Sequence, residues 1–341
     1  MHAETPKPYR GLSVLDASQG IAGPYCATLL AACGADVVKL EPPAGDWARG
    51  LSTRVGNMSV MHVTGNRGKR GIVLDLQQAR DGEAMRRLAA RADVMIEGFR
   101  PGVAKRLGFV PEAGKPDVVF LSISGFGQHG PYAERPCTDG VAQAFTGMVA
   151  LNVGADGVPH RTGPYLTVDM STGVAAFGAV QAALFEQMRD RLTGAAPRRR
   201  VLDVSLVHTA AALLSMNIAE HAHLGEAPRL LNVPAGSYQG GDGGWVMVAL
   251  LREAEFVQMC GVLDLPDLSQ DPDRGRNREA ILPIIREAFL KQTSDVWIER
   301  FQGARMLCDR VNGPLEYLAD PHVVASGATA VVDQPGIGPL T

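Results

Sequence analysis

Chemistry in this chain could gather at Asp169, where Gly163-Pro164-Tyr165-Leu166-Thr167-Val168 gives way to a small-residue apolar run from Val174 to Phe185. No residue of opposite charge stands nearby in sequence. A carboxylate there faces the positive end of a helix dipole and the first unpaired amides. Asp is among the preferred capping residues, so an N-cap is one reading. The other is a nucleophilic or proton-transferring carboxylate held ionised by the dipole. The two roles are compatible.

Cations come next. Asn66-Arg67-Gly68-Lys69-Arg70 places three positive side chains around one glycine, which reads as a solvated turn or as a phosphate clamp. Arg100, in Gly98-Phe99-Arg100-Pro101-Gly102, and Arg106 follow a further strand. The carboxyl edge of an open α/β sheet is where ligands bind, so cationic loops on that rim suit a polyanion. Arg198-Arg199-Arg200 reads as a solvated edge or a phosphate-facing rim. Gly125-Phe126-Gly127-Gln128-His129-Gly130 matches G-x-G-x-x-G, yet Pro131 follows where a dinucleotide site needs a helix to open. No acid ends a strand about 20 residues on, as ribose binding requires. A turn, or a loop that admits close backbone approach, fits better. The histidines show neither i, i+4 spacing with acids nor H-E-x-x-H, so no metal is expected, and no G-x-S-x-G elbow is present.

The elements that must hold these residues alternate. Strands are expected at Leu12–Asp16, Ala35–Glu41, Gly71–Leu76, Asp93–Glu97, Asp117–Ser124 and Arg198–Leu206. Between them fall a tight loop at Gly20–Pro24, a helix over Tyr25–Cys33, a long loop from Pro42 to Asn66, and helices over Gln78–Ala92, Val103–Leu107 and Asp139–Val149. After the Asp169 helix, a long apolar helix runs to about His223. Near-continuous apolar strands alternating with helices predict a doubly wound parallel sheet, α/β in class. Gly240-Gly241-Asp242-Gly243-Gly244 between Tyr238 and Trp245–Leu250 signals a hairpin. Helical stretches near Ala254–Val262, Arg278–Lys291 and Ser294–Phe301 follow, so a smaller α+β domain is expected, and the chain's end reads as a loop.

A chain of 341 residues is long for one core. Hydrophobic residues at 46% and charged ones at 20% describe a soluble globular protein, and a net charge of -3 gives no reason to expect nucleic acid or an anionic membrane surface. The five cysteines (26, 33, 137, 260 and 308) are scattered, which suits reduced thiols in a cytoplasmic protein. Met1–Lys7 has no apolar h-region. The apolar runs near Val174–Leu184 and Thr209–Met216 look too short to span a bilayer.

Together, Gly11–Asp16, Ala22-Gly23-Pro24, Gly34–Glu41, Asn66–Arg70, Ala92-Asp93-Val94, Phe99–Gly102, Ser124–Gly127 with Gly130-Pro131, and Gly163-Pro164 leading to Asp169 resemble the class III CoA-transferases of CaiB/BaiF type. Asp242-Gly243 before Trp245-Val246 fits as well. That family includes formyl-CoA transferase and 2-methylacyl-CoA racemase.

The resemblance implies a Rossmann-like large domain (1–225), a small α+β domain (226–330) and, at 331–341, the start of a segment returning to the large domain. It implies an interlaced homodimer. It makes Asp169 the catalytic carboxylate, forming an aspartyl mixed anhydride and then an aspartyl–CoA thioester. Loop amides near Gln19–Gly23 would serve the oxyanion. Coenzyme A, a substrate rather than a permanent cofactor, and the small carboxylic acid would lie along Gln19, Gly20, Ala22, Lys69, Arg70, Phe99, Arg100, Arg106 and Asp139.

The racemase branch carries His-Asp where this chain has Thr138-Asp139. Racemisation needs a base on each face of the α-carbon, so the missing His favours transfer. The alternatives are an epimerase with Asp169 and Asp139 as proton carriers, and a CoA-binding protein without turnover. Leu230–Val233 lacks the glycine-rich lid of the formate–oxalate transferases, so an oxalate-type substrate is not expected.

Overall fold

The computed structural model describes residues 7–55, 58–154, 157–163, 166–225, 234–270 and 278–341. The Met1–Pro6 leader reading, Pro164-Tyr165, the lid comparison at 230–233 and the expected domain boundary at 226 lie outside the described residues. The chain separates into two compact units, Met1–Glu226 with Gln334–Gly338, and Ala227–Asp333 with Pro339–Thr341.

The first unit is built on six strands: β1 (Ser13–Asp16), β2 (Asp36–Glu41), β3 (Arg70–Val73), β4 (Val94–Glu97), β5 (Val119–Ser124) and β6 (Arg200–Ser205). They pair in parallel in the order 3-2-1-4-5-6, with Val14 opposite Val37 on one side and Val94 on the other. Every residue of β4 and β5 is buried, as expected of parallel strands covered on both faces. Strand order reverses between β1 and β4, so the loops after these two strands flank the switch point, at whose carboxyl edge an open α/β sheet holds its ligand crevice.

Helix α1 (Ala22–Ala32) starts three residues earlier than predicted, with Gly23 and Pro24 in its first turn. Proline fits there because a first-turn amide has no intrahelical partner to lose. Helices α2 (Ala79–Ala89) and α3 (Asp139–Phe145) precede α4 (Thr167–Thr193). The small residues of α4 let it approach α1 closely. A Cβ on Gly173 would lie 2.8 Å from the Ala22 carbonyl and 2.9 Å from Tyr25. At 27 residues, α4 is long and apolar enough to cross a membrane by length and composition, which corrects the expectation of runs too short for that. Val168, Ala176, Val180 and Ala183 are buried in the core beside the strands and α1, the placement of a core helix.

Other expectations shift. The stretch from Pro42 to Asn66 is not all loop but holds a 3-10 turn (Trp47–Gly50) and a helix (Val60–Thr64). The helix expected to reach His223 breaks at Leu214 into Leu206–Leu213 and Ser215–Leu224. The terminal residues contain short strands, Val332–Gln334 and Gly338–Leu340, where a loop was expected. Arg200 is neither a solvated edge nor a phosphate rim. Its side chain is 5% exposed and pairs with Glu186 at 3.0 Å and Asp190 at 2.5 Å, both on α4. Arg198 joins the same two acids, and Arg199 donates to the Pro111 carbonyl.

The second unit holds an antiparallel sheet of β7 (Gly236–Gln239), β8 (Trp245–Ala249) and β9 (Leu307–Arg310), with β8 central. Helices Glu253–Val262, Arg278–Phe289 and Ser294–Gly303 supply Phe256, Phe289, Trp297 and Phe301 to its core.

Candidate active site

Asp169 is the third residue of α4, and Leu166 rather than Asp169 occupies the cap position. The capping comes from elsewhere. Asp139, 4% exposed at the start of α3, accepts the Val168 amide at 2.7 Å and the Asp169 amide at 3.0 Å through Oδ2. Its Oδ1 accepts from Gln143 Nε2 at 2.6 Å, and Gln143 Oε1 in turn accepts the amide and hydroxyl of Thr162, each at 2.8 Å. Asp139 thus performs the service that sequence position assigned to Asp169, and the Asp169 carboxyl has no hydrogen-bond partner among the described residues.

Burial, and after it the charge of Asp139, push the Asp169 carboxyl up to about 7. The expectation that the dipole holds it ionised is therefore corrected. Desolvation and a neighbouring anion both favour the neutral acid and outweigh the helix terminus. Cys137 lies beside it, its thiol raised by burial first and by Asp169 second. Gly125 is required here, since a Cβ would fall 2.2 Å from the Cys137 Cβ.

The loop after β1 is fixed from beneath by buried charges. Asp16, fully buried at the end of β1, accepts the Ser18 amide at 3.0 Å and the Ser18 hydroxyl. Lys39 donates to the Ser18 carbonyl and pairs with Asp46 at 3.1 Å. Asp46 accepts the Gly20 amide and the Ala48 amide, each at 2.9 Å. Gly20 therefore cannot serve an oxyanion. Amides of the first turn of α1, Ala22 and Gly23, remain as candidates because α1 has no side-chain cap. The exposed Trp47 ring lies over Gly20, whose φ of +81° and lack of a Cβ permit the contact.

The structure separates the proposed CoA residues into two sets. Lys69 is buried and donates to Asp16 at 2.9 Å, Asn66 Oδ1 at 2.9 Å, the Pro24 carbonyl at 2.7 Å and the Gly65 carbonyl at 3.2 Å. An ammonium has three protons, so no donor is left for a phosphate. Burial alone would raise Asp16, and Lys39 and Lys69 outweigh it and hold the carboxylate below its ordinary value. Arg70 is exposed but grips Asp36 through two bonds, at 3.0 and 2.6 Å, near the amino end of β2. Neither residue is brought to the carboxyl-edge crevice as an open cation.

Gln19, Phe99 and Arg100 are brought to that crevice, and Arg106 ends the short helix Val103–Arg106 that follows the Phe99 loop. A pocket of about 100 Å³ is lined by Gln19, Pro42, Phe99 and the run Leu74-Asp75-Leu76-Gln77. That run was missed in sequence, although it follows β3 by the same edge rule that singled out Phe99. A larger cleft of about 330 Å³ is lined by Gly98–Pro101 on one side and by Ser124, Arg135, Cys137 and Thr138 on the other. Glu97, 2% exposed, accepts the Phe99 amide at 2.7 Å and holds this loop. Gly98 approaches Ser18 closely, so the loops after β1 and β4 meet at the switch point. Arg100 and Arg106 are exposed and have no carboxylate partner among the described residues.

The family model for CoA-transferase family III matches residues 9–341. The chain belongs to that family. As a CoA-transferase it is similar to the human succinyl-CoA:glutarate CoA-transferase, at 29% identity over 98% of this chain and 78% of that one. It is 33% identical to the acetyl-CoA:oxalate CoA-transferase of Acetobacter aceti, over 87% of this chain and 79% of the relative. Among solved structures, a CaiB/BaiF family protein from Brucella suis superposes with a TM-score of 0.84 at 27% identity, covering 98% of this chain and 91% of that one.

Proposed function

We propose that this CoA-transferase moves CoA from an acyl-CoA to a free carboxylic acid through a covalent intermediate on Asp169. The observation that carries the reading is the Asp169 carboxyl itself: in the first turn of α4, its amide tied to Asp139, its oxygens without a hydrogen-bond partner among the described residues and its titration near neutrality. A half-desolvated carboxylate at that titration point is a better nucleophile than a fully hydrated one.

An Asp169 oxygen attacks the thioester carbonyl, the C–S bond breaks, and a mixed anhydride and CoA thiolate result. The thiolate attacks the Asp169 carbonyl, expels the donor carboxylate and leaves an aspartyl–CoA thioester. The acceptor carboxylate attacks that thioester, giving a new anhydride and thiolate. The thiolate then takes the acceptor acyl group and frees Asp169. The amides of Ala22 and Gly23, one turn of α4 away through Gly173, support the oxyanion at each step. The adenine end is assigned to the pocket of Gln19, Leu74–Gln77 and Phe99, and the phosphates to Arg100 and Arg106.

Transfer is favoured over the epimerase alternative because Asp139, its second proton carrier, accepts hydrogen bonds through both oxygens. A homodimer fits the exposed apolar row Phe185, Met188 and Leu192 on α4.

The test is incubation with succinyl-CoA and a panel of other acyl-CoAs, quenching with hydroxylamine, and peptide mass spectrometry. A hydroxamate at Asp169, absent in Asp169→Ala, is expected, together with a loss of transfer of at least about 10⁴-fold in that variant. Undiminished transfer by Asp169→Ala would sink the covalent route.

A further inference from the structure

Cys137 is a free, half-buried thiol that the transfer chemistry leaves unused, and it lines the cleft of about 330 Å³ across from Gly98–Pro101. Two contacts fix its place. A Cβ on Gly125 would fall 2.2 Å from the Cys137 Cβ, so Cys137 is pressed against the residue that follows β5. Two positions on, Asp139 accepts the Asp169 amide at 3.0 Å, which ties the Cys137 segment to the first turn of α4. The thiol itself donates only weakly, to the Thr138 carbonyl at 3.6 Å. A second group on the same wall lacks a partner. Ser124 is 7% exposed, and its buried hydroxyl makes no hydrogen bond among the described residues. A buried hydroxyl left so costs free energy unless a ligand answers it, which points to an occupant of the cleft.

Acidity does not single Cys137 out. Burial and then Asp169 push its thiol up, with Arg135 opposing. Cys308, also half-buried, is pushed up by burial and Asp309, and it packs against the core of the second unit. Only the thiolate attacks, so in bulk solution neither thiol is favoured over the other. Delivery separates them. On the transfer reading, the arm of CoA enters this cleft and carries its sulfur to Asp169. A sulfur therefore arrives beside Cys137 with each molecule bound, and holding two reactants together raises their effective concentration far above that in solution.

We propose that Cys137 is a modification site for the disulfide form of CoA, which leaves a CoA–Cys137 mixed disulfide that blocks the cleft. The Cys137 proton passes to solvent and the thiolate attacks the near sulfur of CoA disulfide. That S–S bond breaks, and the second CoA departs as its thiolate with the electron pair. Cys137 is oxidised and one CoA sulfur is reduced, so no further oxidant enters. A dithiol reverses the step. The inference rests on the transfer reading for the position of the CoA sulfur, and it adds a redox control to the same site.

The experiment incubates the reduced protein with CoA disulfide or with glutathione disulfide and maps the adducts by peptide mass spectrometry. Cys137 is expected to couple to CoA at least about 10-fold faster than to glutathione, while Cys33 and Cys308 show no such preference. Desulfo-CoA, which fills the site without a thiol, suppresses the coupling at Cys137, and dithiothreitol restores the lost transfer activity. In Cys137→Ser, whatever transfer activity remains is insensitive to CoA disulfide. Equal rates with the two disulfides, coupling shared by Cys308, or coupling undiminished by desulfo-CoA each overturns the proposal. Wild type that forms the Asp169 hydroxamate yet leaves Cys137 free overturns the modification and spares the transfer reading. Selective coupling at Cys137 in a protein that transfers nothing upholds the modification and removes the transfer reading.

Discussion

The turn at Asn66–Arg70 and the loop at Phe99–Arg106 look alike in sequence, each with cations around one glycine, and the glycines even share the left-handed backbone, φ +76° at Gly68 and +81° at Gly102. The fold uses them oppositely. Lys69 is buried among four acceptors and Arg70 is matched to Asp36, whereas Arg100 and Arg106 stay exposed and unmatched. A cation serves structure or ligand according to whether the fold brings an anion to it. Lys69 meets Asp16, 53 positions away in the chain, and no local pattern announces that meeting.

The comparison breaks most sharply at Lys69. Lys69→Met strips the fully buried Asp16 of its shortest ion pair and should destabilise the first unit by about 3 kcal/mol, read from urea unfolding. The same change at Arg106 should leave unfolding untouched and raise the KM for acyl-CoA by about 10-fold. A Lys69→Met protein of normal stability and weakened CoA affinity would reverse the two assignments.

Much of this was legible in advance. Six strands, their parallel pairing and the carboxyl-edge location of the Phe99 loop follow from apolar runs of strand length separated by helical ones, a signal that local sequence carries well, whereas Gln19 was named only by the family resemblance. The role of Asp139 was not legible as found. Its bond to the Asp169 amide spans 30 residues, so the cap lay on another helix while a preferred capping residue stood in plain view. Arg200 was misread for the same reason, its acids lying on α4 rather than beside it. Leu74–Gln77 offered no cation to draw notice, its one charge being Asp75.

The two acids of the site offer a finer contrast. On the proposed route Asp169 must be ionised to attack and its carboxyl titrates near 7, so kcat/KM should rise about tenfold per pH unit below that point and level off above it. Asp139→Asn removes the nearby charge but keeps an amide acceptor, so the acid limb should move to lower pH. A limb that stays in place would mean burial alone sets it. The mildest test is Arg70→Ala. An exposed pair contributes less than about 1 kcal/mol, so neither unfolding nor turnover should change measurably.

Helix α4 is pinned at both ends. Near its start, Gly173 is pressed against α1 with no room for a methyl group. Near its finish, Glu186 and Asp190 are clasped by Arg198 and Arg200 from the edge of the sheet. The span between these anchors is about 25 Å at the usual rise per residue. A rod secured in two places neither slides along its axis nor turns about it. Asp169 is thus a fixed point of the molecule, and on the proposed route successive acyl groups must be carried to it by whatever moves around it.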